Sequence, residues 1–233
     1  MKILELFSGT ECMSDAFRKR GHECFTVDFD HQFPSSLHID IMELTSDMIL
    51  EMFGHPDIIW SGNDCTCASV AAIGFHRRYN PYTGNLDPKT EKASRSDAVN
   101  RHTLDLIREL NPRFFFIENP VGALRKMDYM HGIPRYTTTW CRYGFTYRKA
   151  TDIWTNHPNP QFLPACRNGD PCHEAAPRGS KTGLQGIKDK TLRSAYPPLF
   201  CEHIVDICER YADRDGVPCR FGRTITAPDL FGC

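Results

Sequence analysis

The sequence has almost no net charge, a formal −1 at pH 7, so its overall balance does not point to a polyanionic partner. It has no run of apolar residues approaching the length of a membrane span. The opening "MKILELFSG" reads as a strand and not as a signal peptide. Repeats and low-complexity tracts are absent, which sets aside solenoids and flexible linkers. Also missing is the G-x-G-x-x-G turn that cradles a dinucleotide pyrophosphate. The 11 cysteines are an odd number, and reduced thiols in a cytoplasmic compartment are expected in place of a disulfide framework.

What remains is ordinary for a globular chain. Of 233 residues, 40% are hydrophobic and 24% charged, enough to bury one full core. Charge is uneven along the chain. Lys and Arg outnumber acids over residues 76–102, and over 179–193 Lys181, Lys188, Lys190 and Arg193 face Asp189 alone. Such segments either dock on phosphates or are simply solvated loops.

Strand and helix patterns alternate. Residues 3–7 predict a buried strand, followed by a helix over 12–20 in which Met13, Ala16, Phe17 and Arg20 repeat at helical spacing. A short strand at 24–27 ends in "DFDH". Thr45 or Ser46 is placed to cap a helix reaching residue 53, with Gly54 as its stop. Strands are expected at 58–60 and 114–117, the latter buried on both faces, and again at 136–140 and 151–154. Between them "HRRYNPYTGNLDPKTEKASRS" has no apolar periodicity and reads as a long loop, a lid or a disordered segment. Val99, Thr103, Leu106, Ile107 and Leu110 then mark an amphipathic helix. The last helix spans about 199–212, with Phe200, Ile204, Ile207, Cys208 and Tyr211 in register.

This alternation implies an α/β fold with a doubly wound, mostly parallel sheet. Ligands of such sheets sit beyond the carboxyl ends of the strands. Phe7-Ser8-Gly9, Asp28, the run from Gly62 to Cys65 and Glu118-Asn119 all fall at those ends and should share one rim. Gly9 permits close backbone approach to a ligand. Asp28 is placed to bind ribose hydroxyls or to cap a turn, and Phe29 could stack on adenine. An adenosine cofactor without a phosphate cradle describes S-adenosylmethionine.

The motifs "LELFSGTECMSDAFRKRGHE", "VDFDH", "PDIIWSGNDCTCAS" and "FFFIENP" resemble those of DNA (cytosine-5)-methyltransferases in order and spacing. "RYGFTYRKATDIWTN" and "LRSAYPPLFCEHIVDIC" look like the later motifs of small phage-type members, so the resemblance covers nearly the whole chain. It implies a Rossmann-like methyltransferase fold with S-adenosylmethionine as cofactor and DNA as partner. By resemblance, Phe7, Ser8, Gly9 and Gly62 border the cofactor pocket, Asp28 takes the ribose, Phe29 the adenine face and Asp40 the adenine amino group. Cys65 would add to carbon 6 of an extruded cytosine, Glu118 would hold its ring nitrogen and amino group, and Asn119 would support the cysteine loop. Arg148 or Lys149 would meet the cytosine oxygen, although the family's Gln-x-Arg-x-Arg pattern is not kept there. Residues 1–155 and 191–212 would form the catalytic core, 156–190 a short recognition insertion, and 213–233 an irregular tail.

Two departures keep alternatives open. The family has proline before the cysteine, whereas this chain has Asn63-Asp64-Cys65, and an acid there opposes thiolate formation. Either Arg77 or Arg78 neutralises Asp64 in an active enzyme, or the chain is a catalytically silent DNA- or cofactor-binding homologue, or it runs a variant reaction. In the family's final Gly-Asn-Ser stretch, Arg193 takes the asparagine position and Ser194 the serine. An arginine there is expected to hold the methionine carboxylate, cap a nearby helix end or contact DNA phosphate; the sharper alternative is that it pairs with a carboxylated donor such as carboxy-S-adenosylmethionine, giving 5-carboxymethylcytosine. Cys67 is expected simply to pack. Cys166, Cys172 and His173 could begin a zinc site if Cys141 or another distant cysteine completed it, but a recognition loop with incidental thiols and no metal is the expectation.

Overall fold

The computed structural model describes residues 1–70, 72–175, 187 and 189–212. In chain order these form β1 (Lys2–Leu6), α1 (Cys12–Lys19), β2 (Glu23–Asp28), β3 (Leu37–His38), α2 (Ser46–Met52), β4 (Ile58–Gly62) and α3 (Ile73–His76). There follow β5 (Arg77–Tyr79), β6 (Leu86–Pro88), α4 (Glu91–Leu110), β7 (Phe114–Pro120), β8 (Arg135–Thr139), β9 (Ala150–Thr155), α5 (Lys190–Ser194) and α6 (Pro198–Ala212).

Seven strands make one sheet in the order β3-β2-β1-β4-β7-β9-β8. Pairing is parallel from β3 through β7. Only β9 is reversed, running antiparallel to both β7 and β8. The central strands read as continuous apolar runs because both faces are covered. Alternate residues feed two cores: Leu4, Ile59, Phe115 and Ile117 pack with Ile49, Leu106 and Leu110 of α2 and α4. Ile3, Ile58, Trp60 and Phe116 pack with Phe17 of α1 and with Phe200, Ile204 and Ile207 of α6. Burying each such side chain stabilises the fold by about 1.5–3 kcal/mol relative to leaving it in water.

Local chemistry sets the helix ends. Thr45 accepts from the Met48 amide at 3.2 Å to start α2, and Gly54 follows it with φ at +86°. Helix α1 has no side-chain cap of its own; Glu5 of the buried β1 accepts the Ser14 amide at 2.9 Å instead. Burial pushes the Glu5 carboxyl up to about 7.

The long polar stretch is more ordered than its composition suggests. Its first part is a hairpin, β5 against β6, and its last part is already helix: α4 begins at Glu91 with Thr90 as cap. The first turns of α4 bury Ala93, Ser96 and Asn100, small or polar side chains that carry no apolar periodicity. Of the expected recognition insertion, 176–186 and 188, including Lys181 and Lys188, lie outside the described residues, as does the tail at 213–233. Among the described residues no helix is long and apolar enough to cross a membrane.

Candidate active site

The sheet changes winding direction at β1, whose neighbours are β2 and β4, and in such sheets the crevice that takes a ligand lies there, beyond the strand ends. The turn leaving β1 holds three left-handed residues, Phe7 (φ 58°), Gly9 (φ 47°) and Glu11 (φ 54°). Two of the three carry side chains, so the turn is strained and must be held from outside. The Ser8 amide donates to the Val27 carbonyl at 3.1 Å, and the Gly9 amide donates to the Asp28 carboxylate at 2.8 Å. Glu11 is fixed by Arg18 at 2.8 Å and by the Thr26 hydroxyl at 2.5 Å. Asp28 also accepts the Asp30 amide at 2.9 Å, so it organises its own turn. A Cβ on Gly9 would meet nothing within 4 Å, and Phe29 next to Asp28 is 70% exposed. Asp40 accepts the Met42 amide at 3.0 Å and pairs with Arg95.

Strand β4 delivers the cysteine loop. Gly62 ends the strand, and any side chain there would collide with the Tyr196 hydroxyl. Asn63 is buried and bonded to Ser61; its amide group donates to Asn100 at 2.6 Å. The Asn63 carbonyl accepts from the Asn119 side chain at 3.0 Å. Asp64 accepts both the amide and the hydroxyl of Thr66, at 3.0 and 2.5 Å, which closes a tight turn over Cys65. Farther on, the Ala68 carbonyl accepts the Ala123 amide at 2.6 Å, and a Cβ on Gly122 would collide with that same carbonyl. The loop is therefore fastened on both sides of the thiol. Cys67 is fully buried.

Neither expected neutraliser holds Asp64. Arg77 is buried, pairs with Asp97 at 2.8 Å and donates to the Cys67 carbonyl at 3.0 Å. Arg78 sits exposed on β5 and has no bond to Asp64. Burial pushes the Cys65 thiol up; Lys149 opposes this, while Glu118 and Asp64 add to it.

Glu118 lies opposite Gly62 in the β4–β7 register and is 4% exposed. Burial raises its carboxyl above the usual range, and Lys149, 3.9 Å away, is the main opposing influence. One carboxyl oxygen, Oε1, is buried without a hydrogen-bond partner among the described residues, as is Oδ1 of Asn119. Unsatisfied buried acceptors at a strand end are open to a ligand's donors. Lys149 also donates to the Arg193 carbonyl at 3.2 Å. Thr151 and Tyr196 stand close enough to favour the ionised form of Glu118. Sequence reasoning assigned neither, nor Asn63 and Asn100. Thr151 shares a strand face with Lys149 by simple alternation, and Tyr196 stands in the "SAYPP" stretch, so both signals were present.

Arg148 turns the other way. Its Nε and Nη2 both donate to the Cys166 carbonyl, at 3.2 and 3.1 Å, so of the two basic candidates Lys149 is the one at Glu118. Arg193 lies on α5 with Nε buried and unpartnered among the described residues, and Ser194 donates to the Thr191 carbonyl at 2.9 Å. The thiols expected to be incidental are gathered: the ligand atoms of Cys141, Cys166, Cys172 and His173 lie within 4.8 Å of one another.

No family model matches the chain. A curated protein of Frog virus 3 (isolate Goorha), "Probable DNA (cytosine-5)-methyltransferase", is 29% identical over 228 residues, covering 89% of this chain and 100% of that protein. An E. coli structure, "putative DNA modification methyltransferase encoded within prophage", superposes with a TM-score of 0.50 at 18% identity, covering 76% of this chain and 52% of the other. The S. pombe Dnmt2 methyltransferase gives a TM-score of 0.44 at 13% identity, covering 66% and 48%. The chain thus spans about half the length of these solved structures and all of the viral relative. The fold is that of a Rossmann-like methyltransferase. By sequence, the chain is similar along most of its length to a viral protein named as a probable DNA (cytosine-5)-methyltransferase.

Proposed function

We propose that the protein transfers a methyl group from S-adenosylmethionine to carbon 5 of cytosine in DNA, through a transient bond from Cys65 to carbon 6 of an extruded base. The observation that carries this reading is the meeting of Cys65, Glu118 and Lys149 at adjacent strand ends, beside the turn at residues 7–9. The name of the viral relative supports the substrate.

The chain's own residues fit the cofactor. The open space at Gly9 admits a ligand against the backbone, Asp28 ends β2 where a ribose would lie, and the exposed Phe29 ring offers a face to adenine. Asp40, engaged with Met42 and Arg95, would have to share its carboxylate to meet the adenine amino group. S-adenosylmethionine, when bound, supplies an electrophilic methyl group.

The remaining chemistry belongs to side chains. Cytosine carbon 5 is a poor nucleophile, and a base inside a duplex is out of reach until it is flipped out. The Cys65 thiolate adds to carbon 6, and the ring electrons move toward carbon 5 and the ring nitrogen N3. Glu118, whose burial favours the protonated acid, hands its proton to N3 as that charge develops. Lys149 steadies the negative charge that passes from Cys65 to Glu118 and serves as the donor to the cytosine oxygen. Loss of the carbon 5 proton to water, expulsion of the thiolate and return of the N3 proton to Glu118 then restore aromaticity. Asn119 keeps the sulfur aimed by holding the Asn63 carbonyl.

A catalytically silent binder is the competing reading, motivated by Asp64. A carboxylated donor is a further one, motivated by the Arg193 Nε, which is unpartnered among the described residues. One experiment separates them. DNA containing 5-fluorocytosine is incubated with protein and S-adenosylmethionine, and a covalent complex is expected. No complex on DNA or RNA, with cofactor bound, would favour the silent binder. Product nucleosides weighed after incubation with each donor distinguish methyl from carboxymethyl transfer.

A further inference from the structure

Beyond the crevice, the most concentrated unexplained chemistry is the thiol group between β8 and the loop after β9. Cys141 lies in the short 3-10 turn at Trp140–Tyr143, just after β8. Cys166, Cys172 and His173 come from the loop that follows β9. Residues 167–170 double that loop back: the Asp170 carboxylate accepts the Arg167 amide at 2.8 Å, and Gly169 takes φ +92°. The turn brings Cys166 and Cys172 to one side, against Cys141.

Three of the four distances that follow are those of a coordination shell, and the fourth is shorter. Cys172 and Cys141 sulfurs are 3.7 Å apart, and Cys141 and Cys166 sulfurs 3.2 Å. The Nδ1 of His173 is 3.6 Å from the sulfur of Cys166 and 3.6 Å from that of Cys172. Tetrahedral zinc, with bonds of about 2.3 Å to sulfur and 2.0–2.1 Å to nitrogen, requires separations of about 3.8 Å between sulfurs and about 3.6 Å between sulfur and nitrogen. A disulfide needs sulfurs at about 2.05 Å, and these cysteines are free. Three soft sulfurs and one imidazole around a point too small for a cluster select zinc over hard cations.

We propose that Cys141, Cys166, Cys172 and His173 bind a single structural zinc ion that pins the loop after β9 to the β8–β9 connection. Three thiolates and a dication leave one net negative charge, and the Arg148 guanidinium, held on the Cys166 carbonyl, is the adjacent cation. Because Arg148 precedes Lys149, the ion anchors the backbone from which Lys149 reaches Glu118. All four donors are protein atoms, so the site is closed and keeps no position for catalysis.

The test measures metal in the full chain, independent of any methyl transfer. The protein is expressed with zinc in the medium, dialysed, and analysed by elemental mass spectrometry and by native mass spectrometry. One zinc per chain is expected. Replacing it with cobalt should give sulfur-to-cobalt charge transfer and the visible bands of a tetrahedral site. Cys172→Ser and His173→Ala should each lower occupancy at least about tenfold after dialysis, while Cys24→Ser, outside the cluster, keeps the full equivalent. Circular dichroism shows which variants remain folded, and if one ligand variant unfolds the other decides. A folded wild type without metal, a Cys141–Cys166 disulfide in its place, or full occupancy in both ligand variants would overturn the proposal.

Discussion

Two loops flank Lys149, and they are held by different chemistry. The cysteine loop, residues 63–69, is fastened by amides and hydroxyls: Ser61, Asn100 and Asn119 hold Asn63, Thr66 closes on Asp64, and Ala123 holds Ala68. The loop at 163–174 also has bonds of this kind at its edges, from Thr138 to the Leu163 carbonyl, from the Cys166 amide to Thr139 and from Arg148 to the Cys166 carbonyl. At its centre buried thiols face one another, and thiols are weak hydrogen-bonding groups. A hydrogen-bonded loop is complete on its own and can leave one sulfur reactive. A loop of converging thiols is complete only when something binds them. The same residue type is thus a nucleophile in one place and a ligand in the other, and the neighbours decide which.

Exchanging the sulfur of the first loop gives the largest effect that this contrast predicts. Cys65→Ala should abolish trapping on 5-fluorocytosine DNA, by at least about a thousandfold in rate, because no other group supplies the covalent step. Cofactor binding, measured by calorimetry, should stay near normal. Adduct mapped by peptide mass spectrometry to Cys141, Cys166 or Cys172 would break the comparison, and adduct at Cys67 would move the nucleophile within its loop.

Lys149 lies between the loops, and its charge is the next test. The cation favours the anionic forms of both Cys65 and Glu118, so removing it raises both further. The rising limb of the pH–rate profile, where Cys65 must lose its proton, should therefore move to higher pH in Lys149→Met. At neutral pH the rate should fall by about tenfold to a hundredfold. Lys149→Arg should restore much of the profile. An unchanged limb would mean that Lys149 only holds the Arg193 carbonyl.

Fastening of the first loop comes third. Asn119→Ala removes the bond to the Asn63 carbonyl and leaves a buried acceptor unsatisfied, at a cost of about 1–3 kcal/mol. Urea unfolding should report that loss, and trapping should slow about tenfold. Stability lost with no change in trapping would show that the loop aims its sulfur without Asn119.

The sequence made the first loop far more legible than the second. Strand ends gather chemistry by topology, so the apolar runs at β1, β4 and β7 are enough to expect Gly9, Cys65 and Glu118 on one rim. The start of α4 stayed hidden because Ala93, Ser96 and Asn100 are buried for their size and hydrogen bonds, which hydropathy does not register. The members of the thiol cluster stand out as candidates, but their convergence was not legible, for another reason. Cys141 is separated from Cys166 by a whole strand and a turn, and only the β8–β9 pairing brings them together. Asp64 read as a loose and unfavourable substitute for proline. Its bonds to Thr66 show a side chain doing by hydrogen bonding what a ring does covalently.

That last point sets the smallest and most discriminating prediction. Asp64 brings two effects at once, a turn that fixes the backbone before Cys65 and a negative charge that raises the thiol. Asp64→Asn separates them, since the amide oxygen can still accept from Thr66 while the charge is gone. The carboxylate is exposed, so solvent screens its field and the gain should be only about twofold to fivefold in trapping rate at neutral pH. Asp64→Ala removes both effects, and loss of the turn should outweigh relief of the charge, leaving it slower than wild type. Asp64→Pro restores a fixed φ without the bonds to Thr66 and should fall above Asp64→Ala. If Asp64→Asn is instead slower than wild type, the charge itself takes part in the reaction, and the first loop is tuned for something more than aiming a thiol.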